Sequence, residues 1–206
     1  MATKTKKTAA AQDTAMQDGA GKISIPAANG NAKGSAAPNR ATAPDEPKPD
    51  IGLNDEQRGG SIELLNRHLA NGYVLYTKTR NYHWNVRSRR FAELHEFFEE
   101  QYDQLAEAVD QYAERARQLG GMAAGTLAEF LQLATLKEEP GVYPDPQTMI
   151  RNLLTDHEAV IRSLRADVDR TSDELHDTGT SDFLTAMMEN HEKMAWMLRA
   201  HLVEHD

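Results

Sequence analysis

The spacing of apolar residues after Asn54 constrains the fold of this chain more than any other feature. Large apolar side chains recur there at steps of three and four residues, the period that buries one face of an α-helix. No segment alternates apolar and polar residues with the period of two that a half-buried strand requires. The pattern therefore predicts an all-α chain.

Cap and stop residues divide the first half of this region into two long helices. The first is predicted from Asn54 to about Val86, with Ile62, Leu65, Leu69, Tyr73 and Tyr76 on its buried face. The link Ser88-Arg89-Arg90 joins it to a second helix at about 91–119. Gly120-Gly121 favours a left-handed stop at the end of that helix.

A long crossover separates the second long helix from the third. An apolar patch at Leu127 to Leu136 predicts a short helix inside it. The third long helix is predicted to begin with Asp145 as N-cap and Pro146 at its first position, and the fourth near Thr180-Ser181-Asp182. Four long helices with one long crossover are the ferritin-like version of the four-helix bundle.

Residues 1 to about 52 differ in composition from the bundle predicted for 53–206. They are rich in Ala, Gly, Pro, Thr and Asn, which predicts a disordered tail. Residues 1–50 carry seven Lys or Arg against five Asp or Glu, a net of +2, whereas the other 156 residues carry 16 against 27, a net of −11. A weakly basic tail is thus joined to an acidic body.

The cations of the tail leave two interpretations open. One is a solvated tail without a partner. The other is that flexible lysines neutralise DNA phosphates without recognising the base sequence. A net charge of +2 is weak, so the second interpretation needs many tails acting together. The candidate DNA-binding residues are Lys4, Lys6, Lys7, Lys22, Lys33 and Arg40.

Composition limits the chemistry that the chain can perform. Cysteine is absent, which excludes disulfides and thiolate catalysis and leaves histidines and carboxylates as the metal ligands. No run of about 18 apolar residues marks a membrane span, and the first residues lack the apolar core of a signal peptide. We therefore expect a cytoplasmic protein.

Metal-ligating residue types are concentrated between His83 and Glu114. His95 with Glu99, and Asp110 with Glu114, are spaced four residues apart, so each pair projects from one helix face. Imidazoles combined with carboxylates suit iron or zinc better than calcium. Each pair alone is more typical of a solvated helix face or a hydrogen-bonded histidine, but the whole set favours a metal site.

The spacing of these residues argues against a site within one chain. Glu99 and Asp110 are eleven residues apart, or about 16 Å along a helix. All four helix-two candidates nevertheless stay within an arc of roughly 100°. His95 and Glu114 are equally distant from the midpoint between Gln104 and Leu105, and so are Glu99 and Asp110. A two-fold dimer about that midpoint would form two equivalent sites, which His83 could complete.

The site of a ferritin bundle is the alternative. It places Glu-x-x-His on two helices of one chain. That motif is absent from this sequence, and the nearest match is Asp173-x-x-His176 at the weakly periodic end of the third long helix. A ferritin-type centre within one subunit is therefore disfavoured.

These residues resemble the motif of the Dps family, the DNA-binding proteins from starved cells. The resemblance covers about residues 54–204. It is carried by His83-Trp84-Asn85-Val86, by Phe91-Ala92-Glu93-Leu94-His95-Glu96, and by Asp110 followed by Ala113-Glu114-Arg115 through Leu119-Gly120. The family implies a ferritin-like bundle assembled as a hollow twelve-subunit shell, with ferroxidase centres at two-fold interfaces.

The resemblance also implies which subunit supplies each ligand. His83, His95 and Glu99 would come from one subunit, and Asp110 and Glu114 from its mate. This chain has Glu99 where the family usually has Asp, and Ser88 where it usually has Gly. Trp84 is in the family a neighbour of the centre, although a tryptophan there is equally a large core anchor.

The activity implied by the resemblance is oxidation of Fe(II), preferentially by hydrogen peroxide, and storage of the ferric product, with DNA protected from oxidative damage. Zinc is a further candidate metal. The alternative function is a nucleoid-binding structural protein acting mainly through its tails.

The resemblance also suggests roles for acidic residues outside the centre. Glu96, Glu100 and Asp103 are possible sites of mineral nucleation, and ordinary solvated charges are the simpler alternative. Asp173, Asp177 and Asp182 are possible pore residues, and turn formation is the simpler alternative for them.

Other residues are predicted to serve the core. His157 and His191 interrupt apolar stripes and are more typical of hydrogen-bonded core or interface histidines than of ligands. Four methionines beside Trp196 are predicted to pack rather than bind haem or copper; they are Met187, Met188, Met194 and Met197.

Overall fold

The computed structural model describes residues 46–202, which form five α-helices and, in this range, no strand. The prediction of an all-α chain is confirmed. In chain order the helices are α1 (Asp55–Asn85), α2 (Phe91–Gln118), α3 (Leu127–Leu133), α4 (Pro146–Asp173) and α5 (Thr178–Ala200).

Helix α1 is closed at its start by reciprocal hydrogen bonds. The Asn54 side chain accepts from the Gln57 N–H, and the Gln57 side chain accepts from the Asn54 N–H, each at 2.9 Å. Such a capping box satisfies two backbone donors that the first turn leaves unpaired. It explains why the helix begins where the sequence predicted.

Helix α2 ends at the predicted glycines. Gly120 has a φ of +80°, a conformation that glycine adopts without steric cost. The Gly121 N–H donates to the Ala116 carbonyl oxygen at 3.1 Å, which closes the last turn. At the other end, Ser88 does not have a positive φ, and its hydroxyl accepts from the Arg90 N–H at 3.1 Å. The serine therefore fits the turn without backbone strain.

Helix α3 is shorter than the predicted 127–136 because a side chain of α1 accepts hydrogen bonds from the backbone N–H groups that follow it. The Asn71 Oδ1 accepts from the Thr135 and Leu136 N–H groups, at 2.8 and 3.1 Å. Those donors would otherwise continue the helix. Ala134 is accordingly extended, with a ψ of 140°.

Helix α4 begins as predicted and α5 begins two residues early. Asp145 caps α4 by accepting from the Gln147 and Thr148 N–H groups, at 3.0 and 3.1 Å. Helix α5 starts at Thr178 because Asp177, rather than a residue near Thr180, is its N-cap. Asp177 accepts from the Thr180 N–H at 3.0 Å.

The long helices pack mainly in two pairs, α1 with α2 and α4 with α5, and α3 lies on α1. A Cβ added at Gly72 would lie 2.7 Å from the Val109 Cγ1, so glycine permits the close approach of α1 and α2. One apolar cluster lies directly beneath the ends of α1 and α2 that carry the candidate ligands. It contains Tyr82, Val86, Leu94, Phe97, Phe98, Met149, Ile150, Leu153, Met194 and Leu198.

None of the helices between residues 46 and 202 has the length and apolar character required to cross a membrane.

Candidate metal centre

His83 and His95 face each other across the junction of α1 and α2. His83 lies in the last turn of α1 and His95 in the second turn of α2, with only residues 86–90 between the two helices. Because this link is short, the two helices fold back beside each other. The two imidazoles stack with their centroids 3.7 Å apart and an interplanar angle of 20°.

Backbone carbonyl oxygens fix the orientation of both rings. The Nδ1 of His83 lies 2.8 Å from the His95 carbonyl oxygen, and the Nδ1 of His95 lies 2.9 Å from the His83 carbonyl oxygen. A carbonyl can only accept, so Nδ1 carries the proton on both rings. In the neutral form of each ring, Nε2 therefore carries the lone pair that can bind a metal.

Glu99 adds a carboxylate one turn beyond His95. One ligand atom from each of His83, His95 and Glu99 lies within 4.8 Å of the other two. Among residues 46–202, these three side chains form the group of histidines and carboxylates close enough to share one metal ion. His83 is buried, His95 is half-buried and Glu99 is exposed, so the cluster opens to the surface on its carboxylate side.

Asp110 and Glu114 do not join this cluster in a single chain. Both are exposed on α2, and the helical rise puts Asp110 about 16 Å beyond Glu99. Ala106 and Ala113 lie on the helix face that carries the four candidate ligands, and both are only half-buried. That face therefore remains accessible in the isolated chain.

Comparisons with known proteins identify the family of the chain. A family model described as a ferritin-like domain matches residues 62–206. The DNA protection during starvation protein of Brevibacillus brevis is 40% identical over 139 residues, which cover 68% of this chain and 92% of that protein. The chain belongs to the Dps proteins of the ferritin-like family.

Two further matches cover about three quarters of the chain. A low temperature-induced protein of Nostoc sp. is 53% identical over 154 residues, covering 75% of this chain and 86% of that protein. The solved structure of DpsC from Streptomyces coelicolor has a TM-score of 0.75 and 29% identity, and the match covers 78% of this chain and 93% of DpsC. The Dps fold predicted from the sequence is thereby confirmed.

Trp84 lies next to the Dps motif histidine but is not a core anchor. Its side chain is 64% exposed in the isolated chain. The guanidinium carbon of Arg80 lies 5.3 Å from its ring centroid. Of the two interpretations of Trp84, burial in the core of one chain is wrong.

Sequence reasoning missed Tyr102, which contacts the cluster directly. Its hydroxyl donates to the Glu99 Oε1 at 3.2 Å, and its ring meets His83 edge-on with centroids 5.2 Å apart. Burial and the neighbouring Glu99 raise the pKa of Tyr102, so the phenol is protonated at neutral pH. The spacing of three residues between Glu99 and Tyr102 was the available sequence signal.

The acidic residues predicted for nucleation and pores have different surroundings. Glu96, Glu100 and Asp103 are exposed on α2, next to the ligand face. Asp173 and Asp182 are exposed near the turn between α4 and α5.

Asp177 differs from the other pore candidates because its side chain is buried and its carboxylate oxygens already accept hydrogen bonds. One carboxylate oxygen accepts from the Thr180 N–H at 3.0 Å, and the other accepts from the Thr180 hydroxyl at 2.6 Å. Arg115 lies 3.4 Å away. Helix capping accounts for this aspartate. The nearby Asp173-x-x-His176 lies at the end of α4, and His176 has a φ of +52° outside the helix.

The predicted core histidines are buried, as expected. The Nδ1 atoms of His157 and His191 lie 2.9 Å apart, whereas the Nε2 of His157 has no hydrogen-bond partner among the described residues. Met187, Met188 and Met194 are buried in the apolar core. The tail cations from Lys4 to Arg40 lie outside the described residues.

Proposed function

We propose that this Dps protein is a ferroxidase whose site is completed by a second copy of the chain. The observation that carries the proposal is the open cluster of two imidazoles and one carboxylate within 4.8 Å. A metal ion bound by these three ligands from one side keeps coordination positions for further ligands on its other side. Asp110 and Glu114 are exposed on the same helix face and related to Glu99 and His95 by the dyad between Gln104 and Leu105. In a two-fold dimer each chain therefore gives both halves of a site.

Iron is the substrate that best fits this mixed donor set. Neutral imidazole Nε2 atoms bind Fe(II), and carboxylates favour the Fe(III) product because they carry negative charge. A crystal structure of Dps from Vibrio cholerae, 32% identical with a TM-score of 0.71, is described as a member of a superfamily of ferritin-like diiron-carboxylate proteins. Zinc is a second metal that the same ligand atoms can bind. A Dps structure from Listeria innocua, 32% identical, was obtained after a zinc soak.

The proposed reaction transfers one electron from each of two Fe(II) ions to hydrogen peroxide. The O–O bond breaks and two hydroxides form. The chain holds the reactants: His83 and His95 present fixed Nε2 atoms, and Glu99 supplies the adjacent carboxylate. A carboxylate oxygen of Glu99 lies within 4.8 Å of a ring nitrogen of each histidine.

Storage and DNA protection complete the proposal. We infer a cytoplasmic, nucleoid-associated shell of twelve chains built from such dimers, with ferric mineral nucleated at Glu96, Glu100 and Asp103. Exposed Asp173 and Asp182 are candidates for the iron entry pores. The Brevibacillus brevis relative is named for the protection of DNA during starvation.

Mixing two inactive variants tests whether the site is shared between chains. His95→Ala and Asp110→Ala are each expected to abolish Fe(II) oxidation by peroxide. When the two variants are dissociated and reassembled together, half of the dimers are mixed, and each mixed dimer keeps one intact site. About a quarter of the wild-type activity should return. A site within one chain would give no recovery.

The matched control mixes His83→Ala with His95→Ala. Both residues lie on the same side of the proposed interface, so every site in a mixed dimer lacks one histidine. No activity should return. Equal recovery in both mixtures would contradict the assignment of ligands to the two chains.

The alternative role in DNA binding depends on the tail. The residues after position 50 carry a net charge of −11 and repel DNA, whereas several tails at +2 each could bind it together. Gel-shift titration across a salt series should show binding by the full chain that is lost when residues 1–50 are removed. Unchanged binding by the truncated chain would reject the tail, and DNA binding without iron oxidation would favour the structural alternative.

A further inference from the structure

A cavity of about 250 Å³ lies between α2 and α5 and opens to the surface of the chain. Its mouth is formed by exposed or half-buried polar side chains, namely Gln104, Glu107, Gln111 and Asn190. Its floor is formed by buried side chains, namely Ala108, Met187, His191 and Met194. One imidazole and two thioethers therefore line a space that a small ion can enter from outside.

The three donor side chains of the floor come from one face of α5. Met187, His191 and Met194 are spaced by four and three residues, which places them on adjacent turns of the same face. Both methionines are buried, so bulk water does not reach them freely. A thioether is a soft donor, and soft sulfur donors favour Cu(I) over hard ions such as magnesium or calcium. The sequence favoured packing for these methionines, but packing does not explain the open space beside them.

His191 is held in position by a second imidazole. Its Nδ1 lies 2.9 Å from the Nδ1 of His157 on α4, and both rings are buried. When the His191 Nδ1–H donates to His157, the Nε2 of His191 carries the lone pair that a metal binds. Burial lowers the pKa of His191 to about 3, so this ring is neutral at pH 7. The ring is therefore oriented and uncharged before a metal ion binds.

Packing of the core does not explain the two imidazoles. The Nε2 of His157 has no hydrogen-bond partner among the described residues, and an unpaired polar atom in the core destabilises the fold. Leucine at both positions would fill the apolar space without that cost. A metal ligand and the residue that orients it give both histidines a role.

Glu107 supplies the charge that a monovalent cation needs. Among the described side chains that line the cavity, it is the only carboxylate. It is exposed at the mouth and accepts a hydrogen bond from the Gln111 side chain at 3.3 Å. One negative charge balances one Cu(I) ion, whereas a divalent ion would keep an uncompensated charge next to the apolar core. The charge of the cavity therefore agrees with the softness of its donors.

We propose that the cavity binds one Cu(I) ion through the Nε2 of His191 and the sulfurs of Met187 and Met194. His157 positions the imidazole, and Glu107 balances the charge. The candidate metal centre at the junction of α1 and α2 contains only nitrogen and oxygen donors, so the two sites favour different metals. The inference goes beyond the proposed ferroxidase function and does not depend on it. It assigns to the chain a second role, the sequestration of a soft metal.

X-ray absorption spectroscopy at the copper edge identifies the ligands in the full, assembled protein. One Cu(I) per chain is added in the absence of oxygen. Because the chain has no cysteine, any sulfur from the protein that coordinates copper belongs to a methionine. The wild type should show sulfur together with nitrogen, and this measurement needs no substitution. Coordination by nitrogen and oxygen alone, or loss of the copper to a weak chelator, would overturn the proposal.

Methionine variants locate the sulfur ligands. Met187→Leu/Met194→Leu should lose the sulfur signal, and leucine keeps a similar volume in the core. Competition with a chromophoric Cu(I) chelator such as bicinchoninate should show that the affinity falls by at least about tenfold to a hundredfold. Met149→Leu is the matched control, because Met149 is equally buried but lies in the other apolar cluster. An undiminished sulfur signal in Met187→Leu/Met194→Leu would overturn the assignment.

His191→Leu tests the nitrogen ligand in the same competition. Its affinity for Cu(I) should fall by a similar factor, because the imidazole is lost from the floor. His201→Leu is the control, since His201 lies outside the cavity, and it should bind Cu(I) as the wild type does. Unchanged affinity in His191→Leu would contradict the proposed site.

A substitution at the candidate metal centre separates the two sites. His95→Ala removes a ligand there but leaves the cavity intact, so it should retain sulfur-coordinated Cu(I). Loss of that coordination in a folded His95→Ala protein would place the copper at the other centre and overturn the inference. Failure of the wild type to oxidise Fe(II) would contradict only the ferroxidase proposal.

Discussion

His83 and His95 are joined by two reciprocal hydrogen bonds. The Nδ1–H of each imidazole donates to the backbone carbonyl oxygen of the other residue, at 2.8 and 2.9 Å. The His83 carbonyl lies in the last turn of α1, where helical carbonyls lack a partner within the helix. The hydrogen bond from the His95 Nδ1–H therefore satisfies a terminal carbonyl of α1 and also fixes the orientation of the His95 ring. The same two contacts therefore fix the ligand geometry and add to the packing of α1 on α2.

Replacing His95 by phenylalanine should separate stacking from metal binding. His95→Phe keeps an aromatic ring against His83 but removes the Nε2 lone pair. We expect the fold to survive and the affinity for Zn(II) or Fe(II) to fall by at least about tenfold to a hundredfold, the range seen when even outer partners of a ligand are lost. Isothermal titration calorimetry measures the affinity, and circular dichroism the fold.

His201→Phe is the control for that substitution. His201 also stacks on an aromatic ring, that of Phe97 at 4.1 Å, and lies outside the ligand cluster. Its replacement should leave metal affinity unchanged. Equal losses in both variants would show that the His95 effect is not coordination.

The buried pair His157 and His191 should make the protein sensitive to acid. Burial lowers the pKa of His157 well below its ordinary value, with a further contribution from His191, and burial lowers the pKa of His191 to about 3. In the unfolded chain both have a pKa of about 6.5. Between these values the unfolded state binds more protons, so stability is complete above about pH 6.5 and decreases as pH falls towards 3.

At pH 5 the expected loss from His191 is about 2 kcal/mol relative to pH 7, and His157, whose pKa is also lowered, should add to it. Urea unfolding at several pH values and fixed protein concentration measures it, since the concentration affects the apparent stability of an oligomer. The double variant His157→Leu/His191→Leu should show a flatter dependence between pH 7 and 5. An unchanged slope would mean that other groups dominate acid unfolding.

Asn71 should contribute to stability through the crossover. Its Oδ1 accepts from the Thr135 and Leu136 N–H groups, and it is 1% exposed. Asn71→Ala leaves those donors without this partner and should cost about 1–3 kcal/mol, measured by chemical unfolding. Asn85→Ala is the comparison, because Asn85 is exposed and bonds only to Asn81 within the described residues. A comparable loss in both would argue against this role of Asn71.

Substitutions of the aspartates near the start of α5 should affect either stability or iron uptake. Asp177→Ala removes the cap of α5 and should lower the free energy of unfolding by about 1–2 kcal/mol. Asp173→Asn and Asp182→Asn, both exposed, should leave stability nearly unchanged and slow iron uptake if they line an entry pore. Stopped-flow iron uptake and thermal unfolding measure the two effects. Normal uptake in Asp173→Asn/Asp182→Asn would reject the pore assignment.

The helix-scale features of this protein follow from local chemistry and could be predicted. Asp145 before Pro146 specifies the start of α4, and Gly120 specifies the end of α2, because caps and left-handed stops involve neighbouring residues. The i,i+4 spacing of His95 and Glu99 likewise places both on one helix face in any helical fold. These features need no knowledge of the packed chain.

Contacts between distant residues were decided only in the tertiary structure. The side chain of Asn71 shortens α3, and Arg115 meets Asp177 at the start of α5, but no local pattern indicates which partner a polar side chain will find. Tyr102 was overlooked for the same reason, since its contact with Glu99 is local but its contacts with His83 and Tyr76 join two helices. Spacing determined that His83, His95 and Glu99 could meet; the folding of α1 against α2 brought their ligand atoms within 4.8 Å.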